Sequence, residues 1–255
     1  VIAIGTPGAT PTQVGPHIVD LEIAGTAAAT NGHAILLNRT LDGVFERLRI
    51  TGFLTNGTNA IYVAAQSFFN TFRDIRIDFV NQGIHIVGGP SGPGTDPANR
   101  NLISNCIIAQ VGPGVGLRIG PNAGVNQVRD SNFESNTGST DVLIEGEAEG
   151  TRISDSHFEG GAASRLYAIV IAASPAGTPR DTVLSGLHVT GFSSYGVLLD
   201  HAENVKITTT HFAGKPGNAG AIQAFNSNGV GVALSKDVVT PVMTTLSSST
   251  FTLVP

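Results

Sequence analysis

Apolar residues recur along this chain in short alternating runs rather than at helical spacing. A six-residue pattern, apolar, any, small or polar, any, any, apolar, begins at Ile18, Phe45, Phe72, Leu102, Val128, Ile153, Leu184 and Ile207. Successive starts lie 27, 27, 30, 26, 25, 31 and 23 residues apart. After a Gly- or Asn-rich stretch, each copy is followed by a second short segment: AILL at 34–37, AIYV at 60–63, GIHI at 83–86, GLRI at 116–119, DVLI at 141–144, AIVI at 168–171, GVLL at 196–199 and AIQA at 221–224. Such short alternating runs, rich in Ile, Val and Phe, predict strands and leave no room for helices.

A unit holding three short strands cannot cover its own apolar face, whereas stacked units share one continuous core. The expected fold is therefore all-β, a right-handed parallel β-helix of about eight coils with roughly 25–27 residues each, over residues 1–235. Residues 236–255 are strand-like but out of phase, and are expected to cap the C-terminal end or contact another subunit, because an open end exposes unpaired strand edges. One interior column is expected from Ile50, Ile77, Ile107, Phe133, Phe158, Val189 and Phe212, and another from Ile61, Ile84, Leu117, Val142, Ile169, Val197 and Ile222. Their sequence neighbours then point outward. Asp20, Asp74, Asp130 and Asp155 share one turn position, where a short carboxylate can bond the local backbone. "GGPSGPGTDP" at 88–97 reads as an inserted turn.

Composition narrows the partners. With 255 residues and 41% hydrophobic content the chain can bury a core, while 13% charged residues and a net charge of −5 supply no basic stripe for nucleic acid. No apolar run reaches the roughly 18–20 residues of a spanning helix, and "VIAIGTPGATP" lacks the basic start and apolar centre of a signal peptide, so no membrane insertion is expected. The chain opens on Val and is read as a mature form or an excised piece. Its single cysteine, Cys106, excludes an internal disulfide framework and is expected to be buried filler.

The runs "FESNTGSTDVLIEGEAEGTRISDSHFEG" and "GVLLDHAENVKITTTHF" resemble the right-handed parallel β-helix proteins of the pectate-lyase-like superfamily, particularly the tailspike and polysaccharide-depolymerase group. The resemblance spans about residues 15–230. It implies a polysaccharide partner, a hydrolase or lyase acting on a complex or acidic glycan, an extracellular or virion-associated setting and a homotrimer. The superfamily's sharper catalytic patterns, such as "RxPxxR" or "DPHE", are absent, so no catalytic residue carries over by motif.

Candidate chemistry follows from the ladders that stacking creates. Glu134 and Glu159 come just after the interior Phe in consecutive coils, and Asp78 holds the same place two coils before Glu134. Adjacent rungs put the two glutamates about 5 Å apart and Asp78 about 10 Å from Glu134. Paired carboxylates at such spacings suit glycoside hydrolysis. Tyr167 and Tyr195 align as a platform for sugar rings, and Tyr62, His85 and Arg118 fall on three successive coils as further substrate-binding candidates. His157, His188 and His211 form another ladder, continuing Arg49, Arg76, Cys106 and Asn132. Its spacing is regular rather than convergent, so no metal is expected there, and no motif implies a cofactor. Two functions stay open: a glycan-cleaving enzyme, and a non-catalytic binding or structural spike or adhesin module.

Overall fold

The computed structural model describes residues 2–5, 13–26, 32–89, 97–160, 165–233, 243–246 and 249–253. The chain adopts the expected fold class: parallel strands wind into a β-helix with three strand columns per coil, here called sheets A, B and C in chain order. Among the described residues sheet A has ten strands, including Asn59–Val63, Gln82–Ile86, Leu117–Ile119, Val142–Glu145, Tyr167–Ala172 and Tyr195–Asp200. Sheets B and C are continuous through Val44–Thr51, which runs across both; from there B proceeds through strands such as Gln127–Arg129 and C through Asn132–Glu134 and His157–Glu159. Among the described residues no helix is long and apolar enough to cross a membrane. Most of the inserted turn expected at 88–97 lies outside the described residues.

Stacking converts the alternating pattern into a single core. Phe45 lies on Phe72 with ring centroids 5.1 Å apart, and Phe133 on Phe158 at 4.8 Å, all four wholly buried. Each buried Phe contributes about 1.5–3 kcal/mol relative to exposure, and the offset stacking adds about 0.5–1.5 kcal/mol per pair. The second column, Ile61, Ile84, Leu117, Val142, Ile169, Val197 and Ile222, is interior as expected.

One coil departs from the expected register. Ile103, not Leu102, pairs with Phe72 and Val128, and Ile108, not Ile107, stacks between Ile77 and Phe133. Ile107 instead faces outward, and Cys106 leaves the outward ladder for a buried turn column, where its backbone N–H donates to Ser131 Oγ at 3.2 Å. The run "LISNCII" has two adjacent apolar residues at each end, so alternation supports either frame. Asn101 ties that coil to its neighbours by side-chain hydrogen bonds with Asn70 and Asn126.

The corners explain the rest of the period. Between sheets B and C each coil bends at one left-handed residue: Asp20, Arg47, Asp74, Asn105, Asp130 and Asp155, then Gly186 and Thr209, all with φ between +48° and +62°. The aspartates hold this turn as expected, but Asp20 and Asp74 spend their carboxylates on the next coil, with Arg47 and Asn105, rather than on the local backbone. Asn tolerates this left-handed region, and Asp does so through its short polar side chain. Between sheets A and B a buried asparagine ladder runs along the axis. Asn70 Oδ1 accepts from Gly43 N at 3.0 Å, Asn101 Oδ1 from Asn70 N at 3.1 Å and Asn126 Oδ1 from Asn101 N at 3.0 Å.

The C-terminal segment expected as a cap continues the ladders. Met243–Leu246 pairs with Gly220–Phe225 in sheet A, and Phe251–Leu253 with Val230–Ala233 in sheet B. Residues 234–242 and 247–248 lie outside the described residues.

Candidate functional site

The outer face of sheet C gathers two ladders that looked separate in the sequence. Thr51, Asp78, Ala109, Glu134, Glu159 and Thr190 form one column by direct pairing. Two residues earlier on each strand, Arg49, Arg76, Ile107, Asn132, His157, His188 and His211 form the other. Residues i and i+2 of a strand share a face, so Glu134 and Glu159 stand beside Asn132 and His157. Adjacent rungs separate the two glutamates by about 4.8 Å.

Environment divides the three carboxylates. Asp78 is buried, with Arg76 Nε at 2.7 Å and Arg49 Nε at 4.0 Å, so its charge is already matched. Glu134 is half-buried and Glu159 exposed, and among the described residues neither carboxylate has an ion-pair or hydrogen-bond partner. His157 stacks on His188 with ring centroids 4.6 Å apart, and His211 lies tilted against His188 at 4.9 Å. Burial, together with the two flanking imidazoles, holds His188 below the ordinary histidine range. His157 Nε2 is shielded from solvent with no hydrogen-bond partner among the described residues. No group of three or more His, Cys, Asp or Glu among the described residues is arranged to hold a metal ion.

A buried ion pair lies behind this face. Asp141, seven residues after Glu134, and Arg165, six after Glu159, meet at 3.0 Å with both side chains fully buried. Asn136 Nδ2 donates to Asp141 Oδ1 at 2.8 Å. Burial pushes the Asp141 carboxyl up to about 7, against the opposing pull of Arg165 and Asn136. The pair thus ties Asp141, at the entrance to Val142–Glu145, to Arg165, at the entrance to Tyr167–Ala172. Nothing in the sequence pattern signals it, because neither residue repeats between coils.

The remaining candidates occupy sheet A and its entrance. Tyr62, His85 and Arg118 sit side by side on three rungs, as expected. His33 stacks on Tyr62 at 4.6 Å, and Tyr62 meets His85 edge-on at 5.1 Å. Burial, and secondarily Arg118 and His33, lowers His85 to about 3, so this ring is neutral at physiological pH. Arg118 is engaged by Glu145, with Nε 2.6 Å from Oε1. Tyr167 pairs with Tyr195, yet Tyr195 is only 8% exposed, which leaves one accessible ring where two were expected. The two candidate sets face different sides of the solenoid, with residues 135–141 between them.

Phe79 was missed at the sequence level. It follows Asp78, takes a left-handed φ of +52° and is 52% exposed at the corner between sheets C and A. A bulky residue at positive φ gives up backbone energy, and here it also gives up burial. Its aromatic character right after the carboxylate column was the available signal.

No family model matches the chain, and no curated protein does. Solved structures do. The full-length tailspike protein 2 of an Escherichia coli O157:H7 bacteriophage aligns with a TM-score of 0.68 at 12% identity, covering 94% of this chain and 35% of that one. The enzymatically active domain of bacteriophage CBA120 tailspike protein 2 gives 0.64 at 12% identity, covering 93% and 39%. An alginate lyase from Paenibacillus sp. gives 0.55 at 13% identity, covering 88% and 77%. The chain thus spans little more than a third of these two tailspike chains. By this likeness, the chain has the parallel β-helix fold of phage tailspikes and of a bacterial alginate lyase.

Proposed function

We propose that this chain is a polysaccharide-active β-helix module that hydrolyses a complex glycan at Glu134 and Glu159. The observation that carries the reading is a pair of carboxylates on adjacent rungs of an outer face, both without counter-ions among the described residues. A separation of about 5 Å fits retention: one carboxylate attacks the anomeric carbon while the other protonates the departing glycosidic oxygen. Water then attacks the glycosyl-enzyme, its proton passing to the second carboxylate, and the first is released. Phe79, on the corner two rungs before Glu134, offers its open face to a sugar ring further along the chain. The tailspike likeness supports a virion-associated, homotrimeric setting with polysaccharide as the partner.

Glu134→Gln and Glu159→Gln should each lower release of reducing ends by about 10²–10⁴-fold while leaving the melting temperature in place. Cleavage at the wild-type rate by both variants would sink the assignment. Products without an unsaturated uronate chromophore are expected, because hydrolysis, unlike elimination, creates no double bond. The second reading, a non-catalytic spike or adhesin module, is favoured by one observation: the grooves along residues 204–233, at Asn99–Arg180 and at Phe68–Arg100 are not lined by either glutamate. Wild-type protein that binds but never cleaves a broad glycan panel would decide for it.

A further inference from the structure

The corner between sheets A and B carries a second left-handed column, and its occupants are unequal. Asp42, Phe69, Arg100, Val125, Gly150, Asp181, Asn204 and Gly229 all have φ between +51° and +68°. Gly15 opens the same column at φ +66°, so six of its nine left-handed positions are Gly, Asn or Asp, which accept that conformation at least cost. Phe69, Arg100 and Val125 do not. They are consecutive, and Phe69 and Val125 are also 47% and 41% exposed, so neither packing nor backbone preference accounts for them. Strain and exposed apolar surface concentrated on three neighbouring rungs point to a binding function.

The surface beside them is concave. A groove of about 340 Å³ runs between Phe69, Asn99 and Arg100, and a smaller one of about 100 Å³ continues from Asn99 to Asn122, Glu147, Glu149 and Arg180. Arg100 lies over the Phe69 ring, its guanidinium carbon 5.4 Å from the centroid, and Phe69 as a residue stays 47% exposed. Asn99 Oδ1 accepts from Gly124 N at 2.6 Å, and Asn122 Nδ2 donates to Gly89 O at 2.8 Å. Both amides are thereby fixed in orientation, and among the described residues Asn99 Nδ2 and Asn122 Oδ1 have no hydrogen-bond partner. Arg180 and Glu149 approach to 3.5 Å, and the two arginines and two glutamates of the groove balance in charge.

We infer that this corner is a second, non-catalytic site for a neutral oligosaccharide. An open aromatic face suits the apolar side of a pyranose ring, and oriented amides with charge-balanced Arg and Glu side chains suit its hydroxyls. Charge balance argues against a polyanion, whose carboxylates would meet Glu147 and Glu149. Rungs of about 4.8 Å let successive sugars track successive coils. The ligand class rests on the glycan reading proposed above, but the site owes nothing to Glu134 or Glu159.

The test is calorimetric binding of cellohexaose, maltohexaose and mannohexaose, with oligomannuronate as the acidic probe, to wild type and to the E134Q/E159Q protein. At least one neutral hexasaccharide should bind both proteins alike. Phe69→Ala and Asn99→Ala should each weaken it about tenfold or more, and Phe69→Tyr should retain it. Phe69→Asn should lose binding yet melt no lower than wild type, because Asn suits the left-handed turn. The inference is overturned if no neutral probe binds, if oligomannuronate binds tighter, or if Phe69→Ala binds as wild type does. Reducing-end release reports separately on the glutamates, so either site can fail without the other.

Discussion

Replacing Asp141 by Asn deletes one charge from a fully buried pair while keeping both its volume and the acceptor used by Asn136. At 3.0 Å the gross attraction between Asp141 and Arg165 is about 5 kcal/mol with an effective dielectric near 20, and no exposed surface screens it. Removing either partner strands the other in an apolar interior, which costs about 3–5 kcal/mol. For a chain of this size that lowers the melting temperature by roughly 6–20 °C. Asp141→Asn with Arg165→Met should recover most of the loss, since two neutral groups leave no charge behind. The assay is a double-mutant cycle by urea denaturation at pH 8. Arg165→Met carries a further signature. Without the guanidinium, burial alone raises the Asp141 carboxyl above its already elevated position near 7, and the fold favours its protonated form. That stabilisation is complete below the unfolded carboxylate range near 3.8 and is lost as pH climbs through the folded value. The variant should therefore lie closer to wild type at pH 5 than at pH 8. Additive single substitutions, each costing less than about 1 kcal/mol, would refute this coupling, as would an Arg165→Met protein hurt more at pH 5.

Two further outcomes follow from burial. His85 titrates near 3 in the fold against about 6.5 unfolded, so only the unfolded chain takes up this proton in between, and stability should fall by up to about 1.4 kcal/mol per pH unit as pH drops from 6.5 towards 3; His85→Gln should flatten that slope in a pH series of denaturation midpoints. Asn101 accepts from Asn70 N and Nδ2 and donates to Ser67 O and Asn126 Oδ1, so Asn101→Ala should cost about 3–5 kcal/mol by urea titration, from several buried groups at about 1–3 kcal/mol each.

The period and the core were legible because every coil faces the same requirement and answers it with the same alternation. Phe133 and Phe158 could be placed inside from spacing alone. The frame of 102–108 could not, since Leu102–Ile103 and Ile107–Ile108 offer two equivalent alternations and the deciding contacts come from Asn101. Glu134 and Asn132, like Glu159 and His157, share a face by strand geometry, a link available in the sequence but hidden while each ladder was followed alone. Asp141 and Arg165 were beyond reach, because a single non-repeating pair leaves no period to detect. Solvent access was equally invisible: Tyr195 and Asp78 occupy their expected rungs but are buried there, while Phe79 occupies an unremarked one and is open.

Parallel pairing makes the solenoid a ruler graduated in steps of about 4.8 Å. Any two outward groups are separated along the axis by a whole number of graduations, so Phe79 and Glu134 are two steps apart and Glu159 stands at the third. Lengthening the protein by one complete coil between Phe79 and Glu134 would lengthen every interval that spans the insertion by one graduation and leave the intervals on either side of it, such as Glu134 to Glu159, unchanged. Duplicating or losing whole coils would thus change the spacing between outward groups while keeping the parallel pairing that sets each step.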